Sequence, residues 1–195
     1  MPSGTTRTLF AALTGFGNAE TLIPLAAVIV LWLLQSPRCA AWWVLALVCG
    51  VGSTVVMKLL FYGSPPTADM HNPSGHTSLS TLIYGALALM AAAETRGWPR
   101  ILLIGGSAAF VISIAASRVL LNAHTAADVG LGLAIGAVSL AAFGQSYFRY
   151  RTATRRPWLL FVTGGVLALA LHGRRMLDAD ELVRQIAQYL WMHCV

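Results

Sequence analysis

Charge is scarce in this chain. Only 10% of its 195 residues are charged, against about 25% in a water-soluble domain, which excludes an ordinary soluble globule. Cysteine is nearly absent too, with three in the whole chain, too few for a disulfide-stapled scaffold. Cys39, Cys49 and Cys194 have no metal-type spacing and read as unpaired thiols. No repeat of about 20–50 residues, no low-complexity tract and no Pro/Gly/Ser-rich linker divides the sequence. Residues 1–195 therefore read as one domain. What the chain does have is apolar surface: 57% of its residues are hydrophobic and the mean hydropathy is +0.70. The composition fits a compact integral membrane protein.

Six apolar runs stand at residues 21–36, 39–62, 76–93, 101–117, 127–144 and 157–172. A membrane helix needs about 17–25 apolar residues, so several are short, a mismatch that tilt and flanking arginines absorb. Small residues, among them Gly50, Gly52, Gly105, Gly106, Gly132 and Gly136, would let such helices pack closely. Gly132-x-x-x-Gly136 reads as an internal packing seam. The expected fold is an all-α polytopic membrane bundle with a six-span core over 20–172. Residues 1–19 and 173–195 would form interfacial helices. Within them Leu9, Phe10, Leu13 and Phe16 share one face of a helix over 5–16. In Leu177–Met192 a stripe of Leu182, Val183, Ile186 and Leu190 follows a capping pair of Asp178 and Glu181. The start of the chain does not read as a signal peptide, because its apolar run begins only after Glu20. Trp32, Trp42, Trp43, Trp98, Trp158 and Trp191 read as interfacial anchors.

The thirteen cations outnumber seven acids and leave a net charge of +6. They fall mostly in gaps between apolar runs, as topology signals do, and not on a basic face for nucleic acid. Arg38, Arg96, Arg100, Arg149, Arg151, Arg155 and Arg156 share one side of a six-span chain; Arg7, Arg174, Arg175 and Arg184 share the other with Lys58 and Arg118. The last two sit at span ends, are assigned to chemistry below and do not count as topology signals. The positive-inside rule places the first group in the cytoplasm, so both termini and the long polar loops would face outward.

The ionisable residues that interrupt the spans are few, and such residues are functional candidates by default. Lys58 lies near the outer end of the second run, Arg118 closes the fourth, and His124 and Asp128 open the fifth. Topology brings all of them to the face that also holds the loop 63–76. Pro73-Ser74-Gly75-His76 precedes an apolar helix. There Ser74 or Gly75 can cap the helix and leave backbone N–H groups free for an anion. His124 and Asp128 are four apart, on one helical face, in the relation by which a carboxylate fixes an imidazole tautomer. Arg118 offers a rigid fork suited to phosphate and Lys58 a point charge. Singly, each has an ordinary structural explanation: an N-cap, a satisfied His–Asp pair, a snorkelling lysine. Together they describe a phosphate pocket with a nucleophile and an acid. His172 and His193 have no acid at a helical offset and read as interfacial.

These residues carry a family pattern. Pro73-Ser74-Gly75-His76 is complete, and so is Ser117-Arg118, five residues, His124, three residues, Asp128. The chain thereby resembles the type 2 phosphatidic acid phosphatase superfamily of membrane lipid phosphatases over about residues 20–172. The family's first motif is a lysine followed after six residues by Arg-Pro. Here Lys58 is followed by Pro65-Pro66 in those places, so one phosphate ligand of the pattern is missing. A charge-assisted hydrogen bond is worth roughly 1.5–3 kcal/mol, and its loss would cost about ten- to a hundredfold unless His71, Asn72 or Thr67 replaces it.

The resemblance implies metal-independent hydrolysis through a phosphohistidine. His124, oriented by Asp128, would attack phosphorus, and His76 would protonate the leaving group and then activate water. Lys58, Ser74, Gly75 and Arg118 would hold the phosphate oxygens. One neutral and one protonated histidine give a bell-shaped pH–rate profile about the free-imidazole pKa near 6.5. No cofactor is implied, and Lys58 with Arg118 would repel a metal. The expected partners are membrane lipids and a lipid phosphate: phosphatidate, phosphatidylglycerophosphate, undecaprenyl diphosphate or a lipid A phosphate. The expected location is a bacterial inner (plasma) membrane with the site facing the periplasm or outside. The competing classes are a lipid-phosphate binder without turnover and a transporter using the same charged pocket. The sequence is silent on oligomeric state.

Overall fold

A computed structural model describes residues 4–63, 71–151, 157–172 and 179–194. Among them the chain forms eight helices and no strand: α1 Gly4–Gly15, α2 Ala19–Leu33, α3 Pro37–Gly63, α4 Gly75–Ala93, α5 Trp98–Leu120, α6 Ala126–Tyr150, α7 Pro157–Leu171 and α8 Ala179–Cys194. The all-α membrane bundle expected from the sequence is what forms. Five helical stretches are long and apolar enough to cross a membrane: Thr5–Leu33 (α1 and α2 together), Pro37–Gly63, Gly75–Ala93, Trp98–Leu120 and Ala126–Tyr150. The sixth apolar run is α7, whose 15 residues give about 22 Å of rise, short of the roughly 30 Å hydrocarbon core.

Helix boundaries follow local chemistry. Thr125 caps α6 in a reciprocal box, its hydroxyl accepting from Asp128 N while the Asp128 carboxylate accepts from Thr125 N. Before α5 the chain turns at Gly97, whose φ of 68° suits a residue without Cβ. Pro99 then stands in the first turn of α5, where a missing N–H costs nothing.

Helix α4 is the axis of the bundle and the most buried of the five long apolar stretches. It packs along α6, α5, α3, α7 and α2. The closest seam is with α6, where a Cβ on Gly132 would stand 2.6 Å from the Ser74 carbonyl oxygen, and one on Gly136 2.4 Å from that of Ser78. The pair is thus an internal seam, as its spacing implied. Leu22, Leu25, Ile29, Leu82, Ile83, Met90 and Phe143 fill the core.

Trp43 is in that core and not at an interface. It is fully buried, meets Phe143 edge-on at 5.0 Å and donates its indole N–H to Ala26 O. A buried partner for the N–H removes the reason a tryptophan seeks the membrane boundary. Trp98, at the start of α5, is 71% exposed. Side chains of Trp158, Trp191, His193 and Cys194 lie outside the described residues, and Cys39 and Cys49 are free thiols.

Both terminal helices join the bundle. Helix α1 packs on α5, and α8 packs on α3. The Asp178 side of the expected capping pair lies outside the described residues. His172, expected at an interface, stacks on Phe16 at 4.2 Å.

Candidate active site

Lys58 near the end of α3, Pro73–His76 at the start of α4, Arg118 at the end of α5 and His124–Asp128 at the start of α6 share one end of the bundle. The starts of α2 and α8 arrive at the same end, where Asn18 meets His76 and Asp180 meets Lys58.

Ser74 caps α4, its Oγ accepting from Thr77 N at 3.4 Å and from Thr77 Oγ1 at 3.0 Å. Its backbone N–H donates to the Asp128 carbonyl oxygen at 3.1 Å. Two distant motifs are therefore tied by backbone, and the bare α-carbon of Gly132 is what lets the strap lie so close. Gly75 follows, and a Cβ there would stand 3.9 Å from Lys58 Cε, which sets the lysine beside the positive end of α4.

Each oxygen of the Asp128 carboxylate accepts a backbone N–H. One oxygen accepts from Thr125 N at 3.0 Å and the other from Asn72 N at 2.9 Å. His124 Nδ1 stands 3.8 Å from Oδ2, an ion-pair separation beyond hydrogen-bond range. His124 also precedes α6 rather than sitting on it, because the helix starts after the Thr125 cap. The pair expected on one helical face is thus a charge contact across a capping box. The His124 side chain is buried, 4% exposed, and its backbone N–H donates to Arg118 O at 3.3 Å. Asn122, with φ of 54°, makes the turn that doubles the chain back from Arg118 to His124.

Lys58 is 3% exposed and has two partners among the described residues. Its ammonium donates to Asn72 Oδ1 at 3.0 Å and pairs with Asp180 of α8 at 2.7 Å. Asn72 in turn donates to Tyr62 Oη at 3.2 Å. Arg118 Nη1 donates to Thr14 Oγ1 of α1 at 3.2 Å. His76 Nε2 lies 2.9 Å from Asn18 Oδ1, and the ring is within electrostatic reach of Arg118, Asp180, His124 and Lys58.

Residues 57–153 match the family model described as the PAP2 superfamily. The chain belongs to the PAP2 superfamily. No curated protein and no solved structure matches it. The PAP2 stretch begins one residue before Lys58 and runs through the whole of α6. It therefore contains every residue of the two complete motifs, and it excludes Thr14, Asn18 and Asp180.

Those three, with Tyr62, are what sequence reasoning did not assign to the site; Asn72 entered it only as a possible replacement for the missing arginine. Of the replacements considered for the arginine absent at Pro65, Asn72 is bound to Lys58, and His71, half exposed, stands 3.8 Å from Asp128. Pro65, Pro66 and Thr67 lie outside the described residues. Among the described residues no group of three His, Cys, Asp or Glu is arranged to hold a metal ion.

The electrostatics follow from this crowding. His124 has its pKa lowered, first by burial and then by the charges of Arg118 and Lys58, which outweigh the opposing pull of Asp180 and Asp128. Asp180 is held below the usual carboxylate range. Burial pushes it up, but the Lys58 charge and hydrogen bond pull it down further.

Proposed function

We propose that the protein is an integral membrane lipid phosphatase that cleaves a phosphate monoester or diphosphate through a phosphohistidine. PAP2 membership supports phosphatase-type activity. The observation that carries the finer reading is the bonded strap from Asn72 and Ser74 to Asp128, which joins the His76 motif to the His124 motif beside Lys58.

In this reading His124 enters the cycle neutral, as its lowered pKa favours. A ring nitrogen forms a bond to phosphorus while the bond from phosphorus to the lipid oxygen breaks, and His76 gives its proton to that oxygen. Water then attacks phosphorus, its proton goes to His76, and the P–N bond breaks to release phosphate and restore both rings. Asp128 stabilises the cationic His124 across 3.8 Å while each of its oxygens also accepts a backbone N–H. Lys58, Arg118, Ser74 and the N–H of Gly75 hold the non-bridging oxygens, where charge grows in the transition state. The hydrocarbon part of the substrate stays in the bilayer. By the positive-inside rule the site faces outward from a bacterial inner membrane, which favours envelope lipid carriers and lipid A phosphates.

A second reading, a lipid-phosphate binder without turnover, draws on Pro65 in place of arginine and on Asp180 standing at Lys58. Phosphate release decides between them. Purified protein in detergent should liberate inorganic phosphate from at least one member of a lipid-phosphate panel and lose that activity in His124→Ala. Tight binding of the same lipids with no release from the wild type selects the binder.

A further inference from the structure

Asn18 precedes α2 in the extended backbone of an N-cap, φ −70° and ψ 150°. At that position asparagine normally turns its oxygen onto the first free N–H groups of its own helix. Asn18 makes no such side-chain cap. Its Oδ1 instead lies 2.9 Å from Nε2 of His76, 58 residues along the chain.

The approach is built and not incidental. At Gly17 a Cβ would stand 3.1 Å from Ile114 Cγ2 and 3.2 Å from both Cβ and Cδ2 of His76, so bare backbone lies against the ring. The joint between α1 and α2 is fixed by Gly17 N donating to Thr14 O at 2.9 Å, by Thr21 N donating to Asn18 O at 3.0 Å, and by the buried Thr21 hydroxyl on Gly15 O at 3.3 Å. The same joint supplies Thr14 to Arg118. A short turn outside the family match therefore touches two proposed site residues.

An amide oxygen only accepts, so it favours the forms of His76 that carry a proton on Nε2: the cation and one of the two neutral tautomers. We propose that Asn18 is a positioning residue that holds the Nε2–H of His76, leaving Nδ1 as the nitrogen that gives up and regains the catalytic proton. The inference rests on the phosphatase reading for its role but not for its geometry. In the cycle, Nδ1–H passes to the leaving oxygen, the ring stays neutral with Nε2–H on Asn18, and the proton of the attacking water returns to Nδ1. The logic is that of a second group fixing the tautomer of a working imidazole.

The test uses the full chain in micelles with 15N-labelled histidine, the His76 signals being assigned by their loss in His76→Gln. Above the titration of the ring, wild type should show protonated Nε2 and bare Nδ1, and Asn18→Leu should lose that preference. Asn18→Asp, which keeps an acceptor, should restore it and guards against misfolding in the leucine variant. In phosphate release, Asn18→Leu should lower kcat by about ten- to a hundredfold with KM within about twofold. Asn18→Asp should recover most of the rate and move the alkaline limb to higher pH, since a carboxylate favours the cation. An unchanged tautomer in Asn18→Leu overturns the proposal, whatever the activity. A wild type that releases no phosphate overturns the phosphatase reading, and the 15N spectra still decide the role of Asn18.

Discussion

The two ends of the bundle hold the same kinds of residue and arrange them differently. At the end where α3 starts and α6 finishes, Arg151 pairs with Glu94, donates to Ala93 O at 3.3 Å, and lies over the rings of Tyr147 and Phe148 at 5.9 and 5.5 Å. Arg38 and Arg149 lie over Tyr150 at 5.7 and 5.6 Å. Those cations rest on aromatic faces, and Arg151 adds a carbonyl oxygen and an acid, Glu94. At the other end Lys58, Arg118, His76 and His124 bear on one another, and the acids that offset them, Asp128 and Asp180, are shared. Charge seated on rings and a single acid anchors a helix end. Charge gathered around shared partners shifts protonation and prepares a place for an anion.

The comparison fails most plainly if the gathered end is dispensable. His124→Ala should reduce phosphate release by at least about a thousandfold. The acid limb of kcat/KM should sharpen the same point. Burial and Arg118 disfavour the cation of His124, so the ring sheds its proton at a lower pH than a free imidazole. Activity should therefore persist below pH 6.5 and fall only as His124 becomes protonated. A limb above 6.5 contradicts the assignment of His124 as the neutral nucleophile.

Next in size is the seam beneath the site. In Gly132→Ala the new methyl meets the Ser74 carbonyl, which is backbone and cannot turn away. Overpacking of this kind costs about 1–3 kcal/mol, and the helix start that carries Ser74 and Gly75 should shift with it, lowering kcat as well as thermal stability in detergent. Gly106, with nothing within 4 Å of a Cβ, is the contrast. Gly106→Ala should stay within about 0.5 kcal/mol of wild type.

A smaller effect separates anchoring from gathering at Lys58. In the phosphatase reading Asp180 competes with a substrate phosphate for the ammonium, and it is 37% exposed, so solvent screens the pair. Asp180→Asn should tighten competitive inhibition by inorganic phosphate or vanadate by about two- to fivefold with kcat little changed. Weaker inhibition instead makes Asp180 a support for the lysine and not its competitor.

What was legible in the sequence divides along the same line. The bundle could be read because apolar runs bounded by caps and turns form helices in almost any context. The gathering of Lys58, Ser74, Gly75, His76, Arg118, His124 and Asp128 at one end follows from span order alone. Asn18 and Asp180 could not be read. A lone asparagine before an apolar run signals an N-cap, and an acid in the first turn of an amphipathic helix signals a favourable dipole. Both rules are local, whereas each side chain answers to a partner 58 residues or more away. The His124–Asp128 offset misled for a related reason, since spacing of four places two residues on one face only if both are helical, and the Thr125 cap leaves His124 outside.

The smallest expected effect belongs to the anchoring end and tests whether the ends are independent. Arg151→Gln removes the Glu94 pair and the cation over Tyr147 and Phe148. Partly exposed ion pairs contribute about 0–1 kcal/mol, and a cation over a ring at such a site about 0.5–1. Thermal stability in detergent should fall by no more than about 1–2 kcal/mol, while kcat and KM stay within about twofold of wild type. The reason is distance along α6: Arg151 follows the last residue of a helix whose first turn carries Asp128, a separation of roughly 34 Å at helical rise. A tenfold fall in kcat with stability intact would mean that α6 transmits strain from one end to the other. The division between anchoring and gathered charge would then be a single coupled device.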